Sequence, residues 1–424
     1  MSLGSLSLTN FDHALKTLYS DEKVLSLIYK DNPALARVKK RTDFKGRNKV
    51  LDVLFAPGAG GGAGFAAAQA NVAGAQGAAF TVTRASQYSI RQLDNETIES
   101  SEGDEGALIS AIETEADTAI QSLRNALGMA MFGDGSGQIG QVSSPGASQT
   151  LTLVTAADVV NFFLDQKLVF AEDSSKNLRH GGATLTVDGR DEAGGTVHTT
   201  ANVSTISGIA NNDAIFTESN YTAANDKKMI VGFGGWNPAT APVAGGGDAF
   251  FGKDRADDAV RLSGWRFTDA GAYAGYTTEQ AVRLLCTYIG RSGWNPDCVY
   301  MSFKRLDDLI TELGSKVQYS KVTVPINKGK QQVAEVGFDT VRIHTPGGTV
   351  ECIPDRSCLE DTIFVQTTDT WELWTLGQTV KWISDVSGAR TRTRESADGV
   401  EMRLVSRGNL VCKAPGANGR FDWS

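Results

Sequence analysis

The sequence lacks the patterns that mark membrane-spanning proteins, secreted proteins and disulfide scaffolds. No run of about 18 apolar residues occurs, which excludes a transmembrane helix. The N-terminal stretch has no basic flank followed by an apolar block, so no secretory signal is expected and a cytoplasmic origin is the default. The cysteines are odd in number and form no CxxC pair, so we expect reduced, structural thiols at Cys286, Cys298, Cys352, Cys358 and Cys412.

Histidine is also scarce, which restricts metal binding and acid–base chemistry. The chain has four histidines, and none pairs with another at metal-ligand spacing; no HExxH or HxH occurs. Solvated histidines are far commoner in proteins than metal-ligating ones, and this also applies to His180 and His198, which share the predicted β-rich segment. We therefore expect no metal site and no cofactor from His13, His180, His198 and His344.

The glycine-rich stretches match no nucleotide-binding motif in its required context. Residues 135–140 (GSGQIG) fit GxGxxG, but that fingerprint needs a strand before the glycines and a helix after, and here a long predicted helix comes first. Residues 58–64 have no helix following them to supply a dipole for a phosphate. No GxxxxGK[ST] loop or GxSxG elbow occurs. We assign no catalytic residue and predict that the protein is not an enzyme.

Charge is unevenly distributed along the 424 residues, whose formal net charge is -8. This balance argues against a protein whose main task is neutralising nucleic-acid phosphates. Residues 1–50 carry ten Lys and Arg against five Asp and Glu, whereas residues 91–120 carry one Arg against nine acidic residues. Opposite patches in one chain suit head-to-tail contact between copies, although solvated faces of a monomer explain the charges equally well.

The N-terminal part is predicted to form an arm followed by an extended hairpin. Residues 1–42 read as an arm with a short helical stretch near residues 12–29, whose apolar side chains need a partner surface. Residues 47–56 and 79–91 are strand-like, and almost only Gly and Ala lie between them. Two strands alone are marginal in water, so the hairpin should lie on another subunit. A disordered linker is the alternative.

The rest of the chain is predicted to be α+β. Apolar residues recur every three or four positions over 104–132, which predicts a helix of about 42 Å that ends at a glycine cluster. About five short strands over 150–232 indicate a small inserted barrel or sandwich. Amphipathic helices are expected at 277–289 and 304–313, and Trp371 and Trp374 should lie on opposite faces of a strand, one toward the core and one toward a neighbour. Further strands are expected at 297–301, 338–344, 348–353, 361–366, 370–375 and 399–412.

Residues 250–266 (FFGKDRADDAVRLSGWR) resemble the "FFG-DRS-D-RL-G-R" signature of the major capsid proteins of tailed bacteriophages, with departures at Lys253 and Ala256. Residues 295–302 with the helix that follows are similar to that family's "PD-V-MNP" segment. The stretches 369–377 and 409–415 also resemble the sequences of that family. The order of arm, hairpin, long helix, inserted unit and α+β body extends the resemblance to nearly the whole chain.

The resemblance implies the Hong-Kong-97-type capsid fold. The implied division is an N-terminal arm, an extended loop, a spine helix with the start of the peripheral domain, an inserted β-rich domain, and the peripheral and axial domains. The corresponding ranges are 1–42, 43–95, 96–149, 150–232 and 233–424. Some relatives cross-link through a loop lysine, but residues 57–79 contain no Lys, so no isopeptide cross-link is expected.

The function implied is assembly of hexamers and pentamers into an icosahedral shell that encloses double-stranded DNA without binding it specifically. The implied partners are further copies of the chain, a separate scaffolding protein, a portal and decoration proteins, and the implied location is the virion, assembled in the bacterial cytoplasm. Alternatives are a cellular encapsulin-type nanocompartment, an enzyme with a phosphate ligand, and a β-rich adhesin or tail component.

The candidate inter-subunit contacts are mostly charged and fall in three groups. The first is the basic arm and hairpin root, the second is the acidic stretch before the long helix, and the third belongs to the signature segment. Local solvation explains any single one of these charges equally well. In order, the candidates are Arg37, Lys39, Lys40, Arg41, Lys45, Arg47, Arg84 and Tyr88; Glu96, Glu99, Glu102, Asp104 and Glu105; and Asp254 and Arg255.

Overall fold

The computed structural model shows an α+β protein with two open mixed sheets, a closed β-barrel and two separate two-stranded sheets, the longer of which is the hairpin. Its hydrophobic core divides into one large cluster around the long helix, one in the seven-stranded sheet, and smaller ones in the barrel. The structure describes residues 15–16, 19–94, 96, 105–173, 175–218, 220–221, 227–243, 249–314, 318–328, 331–384, 388–393 and 398–423.

The arm lies against the body through two short helices and one strand. Helix α1 (Asp21–Lys30) begins where the Ser20 hydroxyl accepts a hydrogen bond from the Lys23 N–H, later than the predicted start at residue 12. Residues 12–14 of that prediction lie outside the described residues. Helix α2 (Pro33–Arg37) follows, and strand β1 (Lys39–Arg41) then pairs in parallel with residues 371–375. The arm is thereby part of a sheet of the body.

The predicted hairpin is confirmed, but its second strand is shorter than expected. Strand β2 (Asn48–Ala56), helix α3 (Phe65–Ala70) and strand β3 (Gln76–Thr83) form the hairpin. The expectation that no helix follows residues 58–64 was wrong, because α3 begins at Phe65, although it is only six residues long. The strand is interrupted at Arg84, and the next strand, β4 (Ala85–Asp94), pairs with residues 399–412 instead of with β2. The prediction of one strand over 79–91 was wrong because the large apolar and aromatic residues keep to even-numbered positions on both sides of Arg84, whereas burial shifts from even-numbered residues before it to odd-numbered residues after it.

Helix α4 (Glu105–Phe132) matches the predicted long helix and ends just before Gly133. Its buried stripe is formed by Ile120, Leu123 and Leu127, and it packs against β4 and the 399–412 strand. At about 1.5 Å per residue the helix is about 40 Å long. It therefore joins two distant ends of the body.

The next segment closes into a six-stranded barrel around Phe162, Phe170 and Leu151. It begins at Gln138, earlier than the predicted unit at 150–232, because Gly135 and Gly137 adopt positive φ and turn the chain from α4 straight into a barrel strand. The strands, with neighbours in the order β10-β5-β6-β9-β8-β7, are β5 (Gln138–Ser144), β6 (Thr150–Leu153), β7 (Lys167–Ala171), β8 (Leu185–Asp191), β9 (Thr196–Thr199) and β10 (Ala214–Thr217).

The remaining elements are α5 (Phe233–Trp236), β11 (Ala249–Phe250), β12 (Lys253–Asp254), β13 (Trp265–Thr268), α6 (Thr278–Arg291), β14 (Cys298–Met301), α7 (Phe303–Leu313), β15 (Gln318–Lys328), β16 (Gln331–Thr345), β17 (Gly348–Pro354), β18 (Thr362–Gln366), β19 (Trp371–Thr375), β20 (Lys381–Trp382), β21 (Thr391–Thr393), β22 (Gly399–Cys412) and β23 (Gly419–Asp422). Strands β11 and β12 pair with each other, and the other strands complete a six-stranded sheet, which contains β1 and β4, and a seven-stranded sheet covered by two helices. The predicted helices and strands are confirmed to within a few residues, except that β16 starts earlier than expected. Strand β15 and the short strands β11, β12, β13, β20, β21 and β23 were missed.

Both tryptophans of β19 are buried within the chain, so the prediction that one would face a neighbour was wrong. The Trp371 indole N–H donates to Asn418 Oδ1 at 3.0 Å. The Trp374 indole N–H donates to Glu372 Oε2 at 3.0 Å. The strand is buried on both sides, and Phe44, just after the arm, packs on Trp374 with ring centroids 6.1 Å apart.

Candidate inter-subunit surfaces

The hairpin has two different faces. On the inner face, Phe80 is fully buried, and its ring centroid lies 5.4 Å from that of Trp236 and 6.2 Å from that of Phe250. Two hydrogen bonds hold this face to the body: Thr81 N–H donates to Phe251 O at 2.8 Å, and Arg261 Nη1 donates to Phe55 O at 2.7 Å. The hairpin root is thus fixed on its own chain.

The outer face and the tip of the hairpin are apolar and exposed. Val50 is 55% exposed and Leu54 70% on β2, and Phe65 is 84% exposed and Val72 70% at the tip. Scattered exposed apolar residues are normal, but a set of large ones on one element indicates a contact surface. We call these four residues the outer apolar face.

The structure gives several of the basic candidates partners within the chain. Arg37 Nη1 lies 2.7 Å from Glu351 Oε2. Arg41 Nε lies 2.9 Å from Glu372 Oε2. Lys40 donates to Ala36 O and lies over the Tyr29 ring, and burial lowers its pKa to about 7. Arg37 and Arg41 therefore hold the arm to the body, whereas these Lys40 contacts lie within the arm. An inter-subunit role for the three side chains stays a prediction.

The remaining basic candidates lie at the hairpin root and on its flank. Lys39, Lys45 and Arg47 are exposed. Arg84 Nη1 donates to Phe44 O at 3.3 Å and Gly46 O at 3.0 Å, which ties the two ends of the hairpin root together. Tyr88 is 53% exposed and accepts a hydrogen bond from Arg407 Nη2 at 3.2 Å.

The acidic candidates lie around the start of α4. Glu96 is exposed. Glu105 is the first residue of α4, and its side chain is not among those described. Glu99, Glu102 and Asp104 lie outside the described residues.

The two candidates of the signature segment serve their own chain. Arg255 is only 4% exposed, donates to Gly235 O at 2.7 Å, and places its guanidinium carbon 3.9 Å from the centroid of the Phe250 ring. Asp254 accepts a hydrogen bond from the Ala256 N–H at 2.9 Å and caps a short helical turn. In the single chain the Arg255 side chain is almost fully buried, and its role as an inter-subunit contact stays a prediction.

An open cleft of about 930 Å³ lies at the hairpin root, between β3, β4, the end of α4 and the segment that leaves the barrel. Five basic residues line it, and Asp134 is the single acidic residue among its described lining residues. We call it the basic cleft. Its lysines were missed because an isolated Lys pair carries little signal in sequence. The basic lining residues are Arg47, Arg84, Lys227, Lys228 and Arg255.

The chemistry-bearing residue types are scattered or buried. Among the described residues, no three His, Cys, Asp or Glu side chains are grouped closely enough to hold a metal ion. The GxGxxG stretch is the turn from α4 into β5, so no helix follows its glycines. The five cysteines are free and buried, and burial raises the pKa values of Cys286, Cys298 and Cys412 to about 12. These thiols are poor nucleophiles.

Comparison with known proteins finds similarity at the level of structure alone. No protein-family model and no curated protein matches the sequence. The chain is similar to the capsid of the cyanophage A-1(L), with 11% identity, a TM-score of 0.48 and 93% of each chain covered. It is also similar to the capsid of a native GTA particle (8% identity, TM-score 0.43, 92% and 90% covered) and to a structure from Mycobacterium phage Ogopogo (9%, 0.42, 93% of each).

In the part of the chain that the structure describes, no helix combines the length and the apolar character needed to cross a membrane.

Proposed function

We propose that this chain is the major capsid protein of a tailed bacteriophage, with the Hong-Kong-97-type fold. The observation that carries the proposal is the two-faced hairpin. Its inner face is fixed to its own body, while Leu54 and Phe65 on the outer side are 70% and 84% exposed. Such a hairpin is built to be covered by another chain, because two strands with an exposed apolar face gain stability from a further layer.

The signature segment supports the same proposal by its position. Phe250 and Phe251 pack on Trp236 with centroid distances of 5.0 and 5.8 Å, and Phe251 O accepts the Thr81 N–H of the hairpin. The residues that resemble the capsid signature therefore form the platform on which the hairpin root rests. This gives a physical reason for that segment and that hairpin to occur together.

The proposed mechanism is assembly. Copies form pentamers and hexamers, which close into an icosahedral shell around double-stranded DNA, with a separate scaffolding protein, a portal and decoration proteins as partners. The acidic balance of the chain agrees with a shell that encloses DNA without binding it tightly. The barrel formed by β5–β10 follows α4 in the chain, and its proposed role is to stabilise the shell or receive a decoration protein.

The test is electron microscopy of the full chain, expressed alone and with a candidate scaffolding protein. The expected result is closed shells, or hexamers and pentamers that convert to shells when scaffold is added. Shells that form without scaffold and contain a host enzyme would instead indicate a nanocompartment. A uniform monomer or dimer in both preparations would contradict the proposal.

A further inference from the structure

The described lining of the basic cleft carries more positive than negative charge. The Lys227 ammonium lies 3.2 Å from Asp134 Oδ2, so the charges of this pair largely cancel. The partners of Arg84 and Lys228 are carbonyl oxygens instead. Arg84 Nη1 donates to two of them at the hairpin root, and Lys228 Nζ donates to Tyr221 O at 2.8 Å. A carbonyl oxygen satisfies a donor but has no net charge, so both cations remain available to attract an anion.

The hairpin root also places two arginines next to each other. Arg47 comes just before β2 and Arg84 just after β3, and the Arg84 N–H donates to Arg47 O at 3.1 Å. Like charges at neighbouring positions of two strands are destabilising. Within the described lining of the cleft, the single carboxylate is that of Asp134, which Lys227 already occupies. An anion from outside the chain would therefore stabilise this pair of arginines.

The shape of the cleft and the positions of its cations fit an anion that carries several phosphate groups. The cleft is open to solvent and has a volume of about 930 Å³. Its cations lie on separate elements, with Arg47 and Arg84 at the hairpin root and Lys228 on the segment that leaves the barrel. A guanidinium group binds phosphate oxygens in pairs, and a lysine ammonium binds them as a point charge. The exposed hydroxyl groups of Thr83 and Ser86 add donors to the same wall.

We infer that the basic cleft binds phosphate groups of double-stranded DNA. The inference rests on the proposed shell function, because that function brings DNA into contact with the protein. The duplex lies along the rim of the cleft, where Arg47 and Lys228 are exposed. The net charge of -8 does not prevent this contact, because at about 0.15 M salt charges more than about 8 Å apart are largely screened. The contact is weak and independent of base sequence, since phosphates carry no sequence information.

The first test is the salt dependence of DNA binding by the full-length chain before shells form. Fluorescence anisotropy of a short labelled duplex gives the association constant at several salt concentrations. Each phosphate contact contributes about -0.9 to the slope of log association constant against log salt concentration, so Lys228→Ala should make the slope shallower by about one unit. The matched control is Lys167→Ala, at an exposed lysine on β7 outside the cleft, which removes the same charge and should leave the slope unchanged.

The outcomes separate this inference from the proposed function. An equal change of slope for Lys167→Ala, binding that does not depend on salt, or no binding of DNA would overturn the inference and leave the shell function intact. Electron microscopy of the unmodified chain tests the shell function by itself, and absence of shells there would remove the proposed function.

A second measurement uses the unmodified chain, so it does not depend on the folding of a variant. The chain is treated briefly with an amine-acetylating reagent, with and without DNA, and mass spectrometry follows Lys228 and Lys167. DNA should slow acetylation of Lys228 several-fold and leave Lys167 unchanged. Polyglutamate at the same charge concentration should protect less, because duplex DNA concentrates one charge per about 1.7 Å of its axis. Equal protection by both polymers would indicate an acidic protein partner and overturn the DNA assignment, as would no protection of Lys228.

Discussion

The Arg41 guanidinium lies 2.9 Å from the carboxylate of Glu372, and this ion pair joins the N-terminal arm to the middle of the body. Glu372 is 1% exposed and also accepts from Lys413 Nζ at 2.6 Å and from the Trp374 indole at 3.0 Å. A buried carboxylate is tolerated only when its oxygens are satisfied in this way. The arm is therefore held to the body in two ways: β1 pairs with β19, and Arg41 helps to satisfy the buried carboxylate of Glu372.

Replacing Glu372 with Gln should lower the free energy of unfolding by about 2 kcal/mol, because charge-assisted hydrogen bonds to a buried group are lost. Burial opposes ionisation, but Lys413, Trp374 and Arg41 hold the pKa of Glu372 below its usual 4.5. Its contribution is thus present above about pH 4.5 and lost as the pH falls. Urea unfolding should show a larger difference between the variant and the wild-type chain at pH 7 than at pH 4, because the contribution is only partly lost just below pH 4.5. Glu218→Gln, at an exposed ion pair, is the control and should change little.

Asp158→Asn should stabilise the chain at pH 8 and have a smaller effect at pH 4. Burial, with the nearby Glu360, raises the pKa of Asp158 to about 7, so the folded protein holds a proton that the unfolded chain releases near pH 4. Stability from this group therefore decreases as the pH rises from about 4 to 7. Thermal unfolding at the two pH values measures the effect, with exposed Asp188→Asn as the barrel control. An equal gain at both pH values would contradict this assignment.

Gly232→Ala should destabilise the chain by about 3 kcal/mol or more and prevent shell formation. A Cβ at this position would press on the carbonyl oxygens of Ala130 and Met131 at the end of α4, and backbone cannot move aside as a side chain can. Gly61→Ala at the hairpin tip is the matched control, because a Cβ there meets open space. Chemical denaturation of both variants checks the prediction. Tolerance of Gly232→Ala would mean that the end of α4 is loosely packed.

The two faces of the hairpin should respond differently to substitution. Leu54→Ser and Phe65→Ser should leave the unfolding free energy of the single chain within about 0.5 kcal/mol, because both side chains are exposed, but should reduce shell yield strongly. Phe80→Ala on the inner face should cost about 3–5 kcal/mol in the single chain. Denaturation and electron microscopy of the same preparations separate the two effects. Normal shells from both outer-face variants would show that no subunit covers this face.

Most elements of the fold could be predicted from local patterns in the sequence. The apolar stripe of α4, the end of that helix at a glycine cluster and the amphipathic pattern of α6 each follow from a local pattern matched to one type of secondary structure. The hairpin followed from two strand-like stretches around a Gly and Ala tip. These features are local, since each depends on residues that are neighbours along the chain.

Only the tertiary structure decided which strand pairs with which, and which charges remain at the surface. The change of partner at Arg84 is not visible in the sequence pattern, because Tyr88 and Ile90 continue the spacing of Phe80 and Val82. In the structure the buried side of the chain changes there, and Tyr88 and Ile90 are exposed. From the sequence, Arg255 is expected to be a surface charge. In the structure its guanidinium packs on the Phe250 ring and donates to Gly235 O. The basic cleft joins Arg47 to Lys228, which lie far apart in the chain. Sequence determined the periodicities that form helices and strands, whereas burial and electrostatic environment depend on residues that meet only when the chain folds.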